Sequence, residues 1–131
     1  MFLAHEYESL RFLGKLTLHH NKIAAVPEIP QENITHLDLS DNLIETAKEF
    51  KGHRNMRDLN LQNNKLESVQ GLSNMPSLEQ LNLSNNQISD ISAISKVGKL
   101  KKLILKNNPL ENCSSFTAEH GAVTYLDLNN T

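Results

Sequence analysis

With 131 residues the chain is long enough for one domain, and a net charge of −2 with a pI near 6.3 gives no electrostatic case for nucleic acid, which is usually met by a basic surface. Apolar residues make up 38% and aromatics 5%, with no tryptophan, so leucine and isoleucine must supply the packing. No run of about 18 apolar residues offers a membrane span, the acidic opening Met1 to Ser9 lacks the pattern of a signal peptide, and the single cysteine, Cys113, excludes an intrachain disulfide and points to a reducing compartment, the cytoplasm.

Residues 1–12 place Met1, Ala4, Tyr7 and Leu10 at a spacing of three and are read as the second half of a repeat or as a short capping helix. Six copies of one phrase then follow. Leu16-Thr-Leu18-x-x-Asn21 predicts a first strand, followed by Ile23, Val26 and Ile29 in a connection that holds Pro27 and Pro30. Leu37-Asp-Leu39-x-x-Asn42 predicts a second, and its connection from Ile44 to Met56, through Ala47 and Phe50, is expected to be α-helical. Leu59-Asn-Leu61-x-x-Asn64 leads to Leu66, Val69 and Leu72, then Pro76; Leu81-Asn-Leu83-x-x-Asn86 leads to Ile88, Ile91 and Ile94. Leu103-Ile-Leu105-x-x-Asn108 leads to Leu110, Cys113 and Phe116, and Leu126-Asp-Leu128-x-x-Thr131 is the last copy.

The lead leucines stand 21, 22, 22, 22 and 23 residues apart, so one small unit is stacked on itself. Leu-x-Leu has the period of a strand, with both leucines on one face. Each strand returns to the same end, so neighbours must be parallel. At the strand exit a buried asparagine needs partners for two donors and an acceptor, and neighbouring turns can supply them; Asn21, Asn42, Asn64, Asn86 and Asn108 are expected to form a structural ladder. The spacing of three beyond each asparagine suits turns or short 3₁₀ segments, where Cys113 falls at a core position. One domain spans 1–131, with five core repeats over 13–108 and a last repeat or partial C-terminal cap over 109–131. The grid runs off both ends, which is read as a piece of a longer array.

The phrase, with Leu13, Ile34, Met56, Leu78, Leu100 and Val123 at its first position, resembles the Leu-x-x-Leu-x-Leu-x-x-Asn-x-Leu segment of the leucine-rich repeat family. Asn86-Gln-Ile88-Ser-Asp-Ile91-Ser-Ala-Ile94 looks like that family's 22-residue class, which includes intracellular phosphatase-regulating scaffolds, ciliary and centrosomal adaptors and bacterial internalins. The resemblance implies an α/β solenoid: a right-handed superhelix with six parallel strands on its concave side and turns, 3₁₀ segments or short helices on its convex side, used for protein recognition. Asn108-Pro109-Leu110 and the stretch Val123 to Asp127 are similar to a C-terminal cap of intracellular members, without that cap's Tyr-Arg pair.

Residues beside and between the strand leucines fall in three concave columns. The first is Lys15, His36, Asp58, Gln80, Lys102, Tyr125; the second is Thr17, Asp38, Asn60, Asn82, Ile104, Asp127; the third is His19, Ser40, Gln62, Ser84, Lys106, Asn129. Six strands about 4.8 Å apart make a face about 24 Å across, which suits a helix or loop of a partner protein. His36, Asp38 and Asp58 mark an acidic end; Lys102 and Lys106, flanking Ile104 and beside Tyr125, mark a basic end with an aromatic anchor. These seven are the expected partner contacts.

His19, His20 and His36 near Asp38 invite a metal site, but His19 and His36 occupy outer columns on opposite sides, and solvated polar residues are the expected account. There is no phosphate loop, nucleophile elbow or CxxC pair, so no enzyme, cofactor or small-molecule substrate is expected. Asn-x-Ser/Thr sequons at Asn33, Asn82, Asn112 and Asn129 arise at least in part from the repeat itself. The expectation is a cytoplasmic scaffold or adaptor; an extracellular or immune-type recognition domain and an architectural segment of a longer solenoid are the alternatives.

Overall fold

The computed structural model describes residues 10–96, 98–111 and 123–131. Within them the chain forms six three-residue strands: β1 (Lys15–Thr17), β2 (His36–Asp38), β3 (Asp58–Asn60), β4 (Gln80–Asn82), β5 (Lys102–Ile104) and β6 (Tyr125–Asp127). They pair in parallel as one sheet in chain order, and each lead leucine stands opposite the next: Leu16, Leu37, Leu59, Leu81, Leu103, Leu126. The solenoid expected from the period is the fold observed.

The register follows from burial. Leu37, Leu59, Leu81 and Leu103 are no more than 2% exposed, and their partners Leu39, Leu61, Leu83 and Leu105 are fully buried. A slip of one residue would turn every leucine outward. The apolar triplets of the connections meet them from the other side: Ile44, Ala47 and Phe50; Leu66, Val69 and Leu72; Ile88, Ile91 and Ile94 all lie in the core. Each unit of one sheet segment and one connection cannot enclose its own apolar face, so the core runs continuously through neighbouring turns. At the ends it thins: Leu16 and Leu18 are partly buried, and Leu126 and Leu128 are 42% and 37% exposed.

The helix expected between Ile44 and Met56 is absent, and turns replace it. Its amides look sideways to other turns of the solenoid. Glu45 N–H donates to Ala24 O, Lys51 N–H to Glu28 Oε1 and His53 N–H to Asn74 O, while Phe50 N–H closes a tight turn on Ala47 O. A spacing of three aims Ile44, Ala47 and Phe50 into the core one turn at a time, which a 3.6-residue helix would not do. The one helical segment among the described residues is 3₁₀, Ser92–Lys96. Two glycines let the convex turns stack: at φ +95°, Gly71 passes so close to Ala47 that a Cβ would lie 1.9 Å from its carbonyl oxygen, and Gly52, at +96°, meets Asn74 O at the same distance.

The half repeat or cap proposed for residues 1–12 lies mostly outside the described residues, as do the core assignments of Cys113 and Phe116 and the sequon at Asn112.

Candidate functional site: the concave face and its asparagine ladders

The strand exits are held by side-chain amides stacked from turn to turn. Asn64 Nδ2 donates to Leu61 O on its own turn at 3.1 Å and to Leu39 O on the turn before at 3.0 Å, and its Oδ1 accepts Ile44 N–H at 3.0 Å. Asn42, Asn86 and Asn108 repeat the pattern through Leu18 O, Leu61 O and Leu83 O. All four are buried, so each carboxamide supplies partners that the turning backbone has no other way to obtain. Asn21, on the edge strand's turn, is exposed and bonds only within that turn, to Leu18 O and His19 O. At the other edge Thr131 donates its hydroxyl to Leu128 O at 2.8 Å.

A second, outer ladder runs beside it on the residue before each asparagine. Asp41, Asn63, Asn85, Asn107 and Asn130 all have φ between +56° and +59°, the left-handed region that Asn and Asp tolerate best among residues with a side chain. Each amide reaches the previous rung: Asn63 to Asp41 at 2.7 Å, Asn85 to Asn63 at 2.6 Å, Asn107 to Asn85 at 2.5 Å and Asn130 to Asn107 at 2.8 Å. His20 closes the row, with Nε2 3.5 Å from Asp41 Oδ2. Sequence reasoning missed this ladder, although the doublets at 41–42, 63–64, 85–86 and 107–108 repeat with the period.

It also missed a task of the second concave column. Asp38 Oδ1 accepts both the N–H and the hydroxyl of Ser40, and Asn82 Oδ1 does the same for Ser84. Asn60 and Asp127 accept the N–H of Gln62 and Asn129. These are turns closed by an Asx side chain, and they pull Ser40 and Ser84 to 8% and 5% exposure. Ser40 and Ser84 are therefore fixed at the strand exits and not offered on the open face, and Asp38 divides its carboxylate between fold and surface. Asn82 is committed twice, since its Nδ2 also donates to Gln62 Oε1 at 3.1 Å.

Ile104 breaks that column's rule. Having no side-chain oxygen, it closes no turn, and it stands half-buried between Asn82 and Asp127. Beside it Lys102 lies with Nζ 5.1 Å from the centroid of the Tyr125 ring, a cation–π contact, and Tyr125 remains 51% exposed. Lys106 is exposed at the exit of the same strand. Thus the four residues expected at the basic end share one patch on β5 and β6. At the other end His36 and Asp58 face each other across β2 and β3, and His36 Nδ1 lies 2.8 Å from Thr35 Oγ1. Between the two ends a shallow depression of about 120 Å³ is lined by Asp58, Asn60, Gln80, Leu81, Asn82, Lys102 and Ile104.

The histidines do not converge: His19 packs edge-on against His20, ring centroids 4.8 Å apart. Among the described residues no three His, Cys, Asp or Glu side chains are placed to hold a metal ion, and no helix is long and apolar enough to cross a membrane. Outside the concave face, Arg57 Nε and Nη2 donate to Glu79 Oε2 at 3.2 and 2.9 Å, with Lys101 Nζ 3.5 Å from Oε1. The hydrogen bond from Arg57, helped by Lys101, holds the Glu79 carboxyl below the usual carboxylate range.

Residues 54–96 match a family profile described as leucine rich repeats, two copies. No curated protein matches. Solved structures show the same fold. Internalin C2 from Listeria monocytogenes aligns over 92% of this chain with a TM-score of 0.79 at 24% identity. The functional domain of InlJ from the same organism, which includes a cysteine ladder, aligns over 92% with a TM-score of 0.69 at 18% identity. The leucine-rich repeat domain of APL1B aligns over 88%, with a TM-score of 0.69 at 24% identity. This chain spans 53%, 26% and 34% of their respective lengths.

Proposed function

We propose that this chain, a leucine-rich repeat protein, holds a partner protein on its concave face and carries out no chemistry of its own. The observation that carries the reading is the patch on β5 and β6. An aliphatic side chain replaces a turn-closing Asx at Ile104, next to a lysine laid on the exposed ring of Tyr125. A position that the fold fills with oxygen in four of six strands has been given to an apolar group facing solvent, and fold stability does not account for that exchange. Aromatic and apolar anchors ringed by charge are the usual makeup of contact hot spots.

The single cysteine supports work in a reducing compartment such as the cytoplasm, as a scaffold or adaptor of the intracellular kind. Expression through a secretory pathway tests the location: glycan addition at Asn33 or Asn129 in the native host would contradict it. The binding role is tested by affinity capture with the wild type, Ile104→Glu and Tyr125→Ala, with melting curves to confirm folding. Both variants should stay folded and lose the partner; retention of the partner by both would contradict the assignment of this patch.

A further inference from the structure

Resting on the reading of the concave face as the binding surface, we propose that the segment it takes is a bipolar polypeptide. A cation sits over Asp58, an aliphatic side chain enters the depression beside Ile104, and a carboxylate lies over Lys102 and Lys106. Asp58, Gln80 and Lys102 are consecutive rungs of one column, so the opposite charges stand two strand spacings apart, about 10 Å. Only neutral amides lie between them on β3 and β4: Asn60, Gln62, Gln80 and Asn82.

The ends differ in charge when every neighbour is included. Asp38 and Asp58 give two negatives, with Lys15 two rungs away on β1. Lys102 and Lys106 give two positives against Asp127, whose Oδ1 is turned to Asn129 N–H. Among the described residues neither Asp58 nor Lys106 makes an ion pair, so each keeps its charge for an incoming group. A segment of one sign would place like charges together at one end, which is how charged surfaces reject wrong partners. The depression of about 120 Å³ has room for one aliphatic side chain, given that an apolar cavity of about 150 Å³ takes benzene. It lies between the two charges, with Ile104 on its wall.

A span of about 10 Å is met by seven residues of a helix or three of an extended chain. The probes are therefore fluorescent synthetic peptides with Lys and Glu seven apart in a helical series and three apart in an extended one, with Leu next to Glu. Controls of the same composition carry Lys and Glu side by side. One spaced series should bind about tenfold more tightly than its control, as two exposed charge pairs allow. Asp58→Lys and Lys102→Glu should each abolish the difference. The double exchange should move the preference to peptides with Leu next to Lys. Equal binding of spaced and clustered peptides, or no effect of either substitution, overturns the proposal. If spaced peptides fail up to millimolar concentration while Ile104→Glu still releases the captured partner, the bipolar assignment falls and the concave reading stands. If neither probe nor partner responds to Ile104→Glu, both fall.

Discussion

Adjacent asparagines in this chain have opposite tasks, and the difference lies in what each would leave behind. Asn64 is buried and serves Ile44 N–H and Leu39 O, which belong to another turn. Leucine in its place fits the space but orphans both groups, at roughly 1–3 kcal/mol each; urea unfolding should show a loss of about 3 kcal/mol. Asn63 is exposed, at φ +57°, and its bonds to Asp41 and Asn85 have water as a substitute. Glycine there keeps the left-handed backbone, and the same experiment should register a loss below about 1 kcal/mol. The inner asparagines were legible because a polar residue recurring inside an apolar grid needs partners that only neighbouring turns provide. The outer ladder was less legible, since nothing in an exposed Asn, Asp or His distinguishes a rung from a solvated side chain until φ is known.

Strands and connections were not equally readable. Leu-x-Leu states its period in three residues, and the strands fall where that pattern does, from Leu16 to Leu126. Between Ile44 and Met56 the local signal pointed to a helix through Glu45, Lys48 and Glu49, all good helix formers, but tertiary contacts decided otherwise: the amides there bond across to Ala24, Glu28 and Asn74. Gly71→Ala tests this packing. Its Cβ would sit 1.9 Å from Ala47 O at a φ of +95°, so the neighbouring turn must shift; thermal melting should show a loss of about 2 kcal/mol or more. The ion-pair bridge from Arg57 through Glu79 to Lys101 makes a prediction about pH. Because the folded-state pKa of Glu79 is lowered, its contribution is present above the unfolded value of about 4.3 and is lost as pH falls through the folded one. Melting temperatures of the wild type and Glu79→Gln should therefore differ near neutrality and converge in acid.

For the molecule as a whole, stacking identical units leaves the interior uniform and pushes what is particular to this protein onto the exposed columns. That polarity was readable from the alternation alone, since the register sets which residues share a rung. The contact between Lys102 and Tyr125 was not, because it depends on how two side chains lean. Nor was the withdrawal of Ser40 and Ser84 into Asx turns, which reduces the surface available for contact. What remains is a face with an acidic end, an amide centre and a basic end built around Ile104. The most direct test of the account compares partner affinity for three proteins: the wild type, Lys102→Glu with Lys106→Glu on the concave side, and the charge-matched Lys48→Glu with Lys65→Glu on the opposite flank. Concave reversal should abolish binding while the flank variant binds as the wild type does. Unchanged binding after concave reversal, with loss in the flank variant, would contradict the account.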